Sequence, residues 1–202
     1  MTEVSGQFRW LMVCTGNICR SPMAERLAAA GLAERLGVEA THFEVTSAGT
    51  FGLHGNDMEP FAAQVLSALG GDPAGFVARR LDSDLVAAAD LVTTATLEHR
   101  SIAVSLHPRA ASRSFTIREL ARLLSVVDLT ALPEGDPVAR ARAMVAAAAA
   151  KRGYLPQPAP GADDVKDPYG GPLPAYQACG ELLVEALRAP LDAIALRGTT
   201  RP

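Results

Sequence analysis

Long apolar runs, excess positive charge and paired cysteines are all missing from this 202-residue chain. No stretch approaches the roughly 20 consecutive apolar residues that a membrane-spanning helix needs, and residues 1 to 7 carry no apolar segment of the signal-peptide kind. The expectation is a cytoplasmic protein with no membrane partner. A formal net charge of −3 leaves no electrostatic footprint for nucleic acid. Three cysteines, an odd number, do not suggest a secreted disulfide framework and suit a reducing compartment. His54, His99 and His107 stand at no metal-ligand spacing with those cysteines, so neither a metal nor a cofactor is expected. What is present is a 49% hydrophobic composition, enough for one domain with a substantial core.

The most informative run is Cys14-Thr15-Gly16-Asn17-Ile18-Cys19-Arg20-Ser21. It follows the apolar stretch 8–13 and precedes a helical pattern opening at Pro22, so a strand, a tight loop and a helix N-terminus converge on one thiol. A loop closing onto a helix start directs backbone N–H groups at one point, where the helix dipole also favours negative charge. Five residues between Cys14 and Arg20 let the chain curl around a tetrahedral oxyanion, with the sulfur facing its centre and the guanidinium gripping two oxygens. The same dipole favours the thiolate form of Cys14. Ser21 can donate to the sulfur, Gly16 and Asn17 tolerate positive φ, and Pro22 suits a first helical turn. Taken alone, a Cys and an Arg at this spacing would read as a buried cysteine before an ordinary helix. The full run implies displacement at phosphorus.

The segment VCTGNICRSPMAE resembles the signature loop of the low-molecular-weight protein tyrosine phosphatases. A second likeness lies far downstream in Asp163-Asp164-Val165-Lys166-Asp167-Pro168-Tyr169, where the family carries an Asp-Pro-Tyr element whose Asp is the general acid. Thr46-Ser47-Ala48-Gly49-Thr50, 77–81 and 90–93 are also similar. The resemblance covers residues 8 to about 117 and 163 to 197. It implies Cys14 as nucleophile, Arg20 and the loop residues Thr15, Gly16, Asn17, Ile18 and Cys19 as the phosphate cradle, and Ser21 and Ser47 as supports. It implies Asp167 as the acid, Phe51, Leu53 and Tyr169 as a substrate wall, and a Cys14–Cys19 disulfide as a reversible redox block. Chemistry alone supports an acid here, since a carboxylic group on a loop over the cradle can protonate a leaving oxygen and then take a proton from water. Asp163 and Asp164 compete for that role, and only the following Pro-Tyr chooses among the three.

Three departures stand out. Leu53 replaces an aromatic that relatives often carry, Phe76 replaces a His that supports the loop in many of them, and Gly170 replaces a second aromatic after Tyr169. Cys179 reads as a core residue.

Alternating strands and helices predict an α/β chain: strands over 8–13, 42–46, 91–95 and 114–117, and helices over 23–36, 60–69, 118–124 and 137–152. A long closing helix over 176–196 carries a buried stripe of Leu182, Leu183, Leu187, Leu191 and Ile194. Right-handed crossovers then give one three-layer domain, a parallel four-stranded sheet with helices on both faces, flavodoxin-like and of the type I phosphotyrosine phosphatase kind. Residues 118–162 read as a helical and Pro-rich insertion, in which Tyr154 is a candidate lid. The expected activity is hydrolysis of phosphotyrosine in proteins through a cysteinyl-phosphate. Small phosphate esters are an alternative substrate class. Arsenate reduction on the same fold is a further alternative, disfavoured because only Cys179 lies beyond the loop. The expected partner is a tyrosine-phosphorylated protein, with weak homo-oligomerisation left open.

Overall fold

The computed structural model describes residues 6–195. Strand β1 (Phe8–Cys14) is central, and its side chains alternate with the period of two that a pleated strand imposes. Phe8, Trp10, Met12 and Cys14 enter one hydrophobic cluster, while Leu11 and Val13 enter another on the opposite face. Strands β2 (Phe43–Gly49), β3 (Leu91–Thr94) and β4 (Ser114–Thr116) complete an all-parallel sheet in the order β2-β1-β3-β4. The chain leaves β1 to one side for β2 and returns on the other for β3. The topological switch point therefore lies beside the C-terminal end of β1, where such sheets bind ligands.

Helices α1 (Arg20–Leu36), α2 (Pro60–Ala68), α5 (Ile117–Leu124), α6 (Pro137–Ala150) and α7 (Leu173–Ala195) cover the larger cluster, and α3 (Ser83–Ala88) and α4 (Leu97–Leu106) cover the smaller. The three-layer expectation holds. Trp10 is fully buried and donates its indole N–H to Thr93 Oγ1 at 2.8 Å, so its polar edge is satisfied while its area contributes to the core.

Several boundaries differ from the sequence reading. Strand β2 runs on through Ser47-Ala48-Gly49 because it stays in register with β1 to the Cys14–Gly49 pair. Helix α1 starts at Arg20 rather than Met23, and α3 and α4 escaped the sequence reading altogether. Leu183, Leu187, Leu191 and Ile194 are buried on α7 as expected, and Leu182 is half-buried; Leu196 lies outside the described residues. Helices α5 and α6 contribute Leu120, Leu123, Val138, Ala141, Met144 and Ala148 to the main core. Tyr154 is 77% exposed, with Lys151 over its ring, and it does not line the cavity above Cys14.

Candidate active site

Five helices have a side chain closing their first turn: Glu59 on Ala62 N–H, Asp82 on Leu85 N–H, Thr96 on His99 N–H, Thr116 on Glu119 N–H and Asp136 on Val138 N–H. Helix α1 has none. Its first turn, Arg20 to Met23, is buried all the same. A buried helix start without a cap keeps orphan N–H groups and the positive end of its dipole for something else.

The preceding loop is arranged to add to them. The carbonyls of Cys14, Thr15, Gly16 and Ile18 accept hydrogen bonds from the N–H groups of Thr50, Phe51, Leu53 and Glu59 at 2.9 to 3.0 Å. Every described peptide is trans, so the N–H following each of those carbonyls points the opposite way. The amides of Thr15, Gly16, Asn17 and Cys19 therefore point away from 50–59, and Thr15, Gly16 and Cys19 line one cavity with Cys14. The loop and the end of β2 touch with no room to spare. A Cβ at Gly49 would stand 2.4 Å from the Thr15 carbonyl oxygen, and one at Gly52 would stand 2.2 Å from that of Arg79.

Behind the loop, donor arithmetic fixes the hydrogens of Asn17. Asn17 is fully buried at φ +56°. Its Oδ1 accepts the Arg79 backbone N–H at 2.8 Å, so its amide nitrogen donates both hydrogens, to Ser21 Oγ at 2.9 Å and Ser47 Oγ at 2.8 Å. Ser47 passes its own hydrogen to Glu25 Oε2 at 2.6 Å, and burial pushes the Glu25 carboxyl above its usual range. Ser21 Oγ, which accepts from Asn17, lies 3.0 Å from Cys14 Sγ and 3.5 Å from the Ala48 carbonyl oxygen, so a thiolate at Cys14, which can only accept, is within reach of its hydrogen. A thiolate there receives a directed hydrogen bond. The Asn17 side chain is therefore a support of the cradle rather than part of its surface. Phe76 is buried with Arg26 over its ring, and the N–H of Arg79 supplies the bond to Asn17.

Arg20, with its side chain 5% exposed, is held at three points. Nη1 donates to Val165 O at 3.2 Å, and Nη2 donates to Thr15 Oγ1 at 3.1 Å and Asp167 Oδ2 at 2.5 Å. Its Nε is buried without a partner among the described residues. The three aspartates differ in their surroundings. Asp163 is held by Arg122 through both carboxylate oxygens, and Asp164 caps α4 through the Leu97 N–H at 2.9 Å. Asp167 alone lines the cavity, half-exposed, with Oδ1 accepting the Tyr169 N–H at 3.2 Å in a turn stiffened by Pro168.

A cavity of ≈ 360 Å³ is lined by Cys14, Thr15, Gly16, Ile18, Cys19, Arg20, Phe51, Leu53, Asp167 and Tyr169. Apart from Asn17, Ser21 and Ser47, which lie behind the loop, every site residue expected from the sequence meets there. Leu53 and Ile18 stand together over Gly16, while Phe51 and Tyr169 are 68% and 64% exposed at the rim. Burial pushes the Cys19 thiol well up, and pushes Cys179 up to about 12. All three cysteines are free. Cys179 lines a neighbouring cavity beneath the Asp167 loop. The sequence reading missed Glu25, Arg79, His99 and Thr96, of which only Thr96 carried a local signal, as a helix N-cap.

Among the described residues, no cluster of three or more His, Cys, Asp or Glu could hold a metal ion. No described helix is long and apolar enough to cross a membrane.

A family model described as low molecular weight phosphotyrosine protein phosphatase matches residues 9–129. A protein-arginine-phosphatase of Bacillus subtilis is 37% identical over 113 residues, 54% of this chain and 69% of its own length. The low molecular weight protein-tyrosine-phosphatase Etp of Escherichia coli is 35% identical over 105 residues, 52% of this chain and 65% of its own. Among solved structures, YwlE arginine phosphatase carrying a phosphorylated active site serine superposes with a TM-score of 0.65 at 27% identity, covering 96% of this chain and 99% of that one. A low molecular weight protein tyrosine phosphatase from T. tengcongensis gives 0.64 at 30% identity, covering 91% and 97%.

Proposed function

The chain belongs to the low molecular weight phosphotyrosine protein phosphatase family, and on that premise we propose that it hydrolyses phosphotyrosine in protein substrates through a cysteinyl-phosphate intermediate. The carrying observation is the contrast between floor and wall of one cavity. The floor is an uncapped helix start with inward amides, a thiol and a buried arginine, and the wall is built from Ile18, Leu53, Phe51 and Tyr169. A dianion suits the floor and a flat aryl ring suits the wall.

In the first step Cys14 Sγ attacks phosphorus in line, and the bond from phosphorus to the leaving oxygen breaks. Asp167 delivers a proton to that oxygen as it departs. In the second step a water attacks the phosphocysteine, Asp167 takes the proton, and the thiolate leaves with the Ser21 hydrogen directed at it. Arg20 receives the oxyanion through Nε, which lacks a protein partner, and Nη2, which now holds Asp167. Substrate binding and release of the acid for proton transfer are thus one event. The sequence expectations for a cytoplasmic setting and a Cys14–Cys19 disulfide that shields the nucleophile from further oxidation are consistent with free thiols on one cavity wall.

A second reading, phosphoarginine, is favoured by the likeness to the protein-arginine-phosphatase of Bacillus subtilis and to YwlE arginine phosphatase. Asp167 would then face a guanidinium leaving group. One pair of peptides with identical sequence, bearing phosphotyrosine or phosphoarginine, separates the two. The proposal expects kcat/KM at least about tenfold higher for phosphotyrosine, a difference of roughly 1.4 kcal/mol in transition-state binding. Preference for phosphoarginine would overturn it.

A further inference from the structure

We propose that His99 is a positioning residue for the oxyanion site: its Nε2–H donates to Thr15 Oγ1, so that the Thr15 hydroxyl hydrogen is left to point at a bound phosphoryl oxygen. This rests on the reading of the Cys14 loop as a phosphoryl site.

The geometry is a chain of four groups from two distant parts of the sequence, 15–20 and 96–99. His99 is 6% exposed at the third position of α4, on the buried face it shares with Ala103. Its Nδ1 lies 2.8 Å from Thr96 Oγ1, and its Nε2 lies 2.9 Å from Thr15 Oγ1, 84 positions away in sequence. Thr15 Oγ1 also accepts from Arg20 Nη2 at 3.1 Å, and Thr15 lines the cavity.

Thr96 Oγ1 accepts the His99 backbone N–H at 3.3 Å, and in the proposed arrangement its own hydrogen lies along the line to Nδ1. A neutral imidazole that accepts at Nδ1 carries its hydrogen on Nε2. Thr15 Oγ1 then accepts twice, from His99 and from Arg20, and its remaining hydrogen has only the cavity to serve. The ring is neutral at ordinary pH. Burial and the Arg20 charge hold His99 down at about 4, outweighing Asp167 and Asp164, which act in the other direction. One histidine thereby sets two groups that touch the substrate: it orients Thr15 as an added oxyanion donor and, through Thr15, braces the guanidinium of Arg20.

The tautomer is read directly on the wild-type protein by two-bond 1H–15N correlation of labelled histidine. The proposal expects His99 protonated at Nε2, and a proton on Nδ1 would overturn it. Kinetics use p-nitrophenyl phosphate as substrate and inorganic phosphate as competitive inhibitor. His99→Leu and Thr15→Val should each weaken phosphate inhibition roughly tenfold, the scale of one hydrogen bond to a charged group. The double variant should be no worse than either single one, because both break the same chain. His99→Gln, which keeps a donor near the Nε2 position, should recover most of the loss. Unchanged phosphate inhibition in a folded His99→Leu protein, or additive losses in the double variant, would overturn the proposal. Neither probe carries an amino acid, so a failure of the phosphotyrosine reading leaves these outcomes intact.

Discussion

Replacing Asn17 tests whether the cradle is held from behind as its hydrogen bonds suggest. The side chain makes three buried bonds, to Arg79 N–H, Ser21 and Ser47, from a residue at φ +56° with no exposed surface. Asn17→Ala removes all three, each worth about 1 kcal/mol net, and leaves the Arg79 N–H without its acceptor. Alanine also tolerates the left-handed backbone less well than asparagine, by up to about 1 kcal/mol. The sum is about 3–5 kcal/mol, a large share of the roughly 5–15 kcal/mol that stabilises an ordinary domain. Asn17→Gly loses the same bonds and escapes the backbone term, so it should be milder by about 1 kcal/mol. Urea unfolding gives the stabilities and p-nitrophenyl phosphate turnover gives the function. Turnover should fall in both variants, because Ser21 no longer receives the hydrogen that turns its own toward Cys14. Two variants within about 1 kcal/mol of wild type with unimpaired turnover would refute the reasoning.

Three other outcomes follow from the same geometry. Gly49→Ala places a methyl 2.4 Å from the Thr15 carbonyl, so the loop must shift and kcat/KM for any phosphate ester should fall at least about a hundredfold, the scale of a misplaced constellation. Turnover equal to wild type would show the loop to be more yielding than its packing implies. Asp167→Asn should cut hydrolysis of phenyl phosphate by roughly 10²–10⁴ and that of p-nitrophenyl phosphate far less, because the better leaving group has less need of a proton; equal losses would remove Asp167 from the acid role. His99, held at about 4 against an ordinary value near 6.5, stays neutral in the fold while the unfolded chain binds a proton. Stability contributed by this group is therefore present above about pH 6.5 and lost as pH falls toward 4, by up to about 3 kcal/mol. Denaturation curves at pH 7 and pH 5 should show a larger drop for wild type than for His99→Gln, and equal drops would contradict the assignment.

How much of this was legible in the sequence depended on how local each signal was. The loop from Cys14 to Ser21 was readable because strand, loop and helix start are contiguous, so the thiol, the loop amides and Arg20 all come from one short run. Helix α4 was missed although Thr96 stands at its N-cap, because its apolar face is short and its one distinctive residue, His99, has a partner 84 positions away. Glu25 reads as a solvent-facing helix residue until β2 brings Ser47 to it at 2.6 Å. The end of β2 was cut short since Ser47-Ala48-Gly49 lacks the branched and aromatic side chains that mark strands, yet small residues are what the contact with the phosphate loop requires. The choice of Asp167 over Asp163 and Asp164 rested on the following Pro-Tyr, and in the fold the other two are engaged by Arg122 and the start of α4. The candidate lid at Tyr154 had no contiguous signal behind it, and that side chain stands under Lys151 instead.

The central claim is that phosphoryl groups pass through Cys14. Rapid acid quench of the protein turning over p-nitrophenyl phosphate, followed by mass analysis of the peptide that contains Cys14, tests it most directly. One phosphoryl group is expected on Cys14, accumulating further in Asp167→Asn, where attack by water is slowed, with no turnover in Cys14→Ser. Turnover in Cys14→Ser at the wild-type rate, with no phosphopeptide in the wild type, would contradict it.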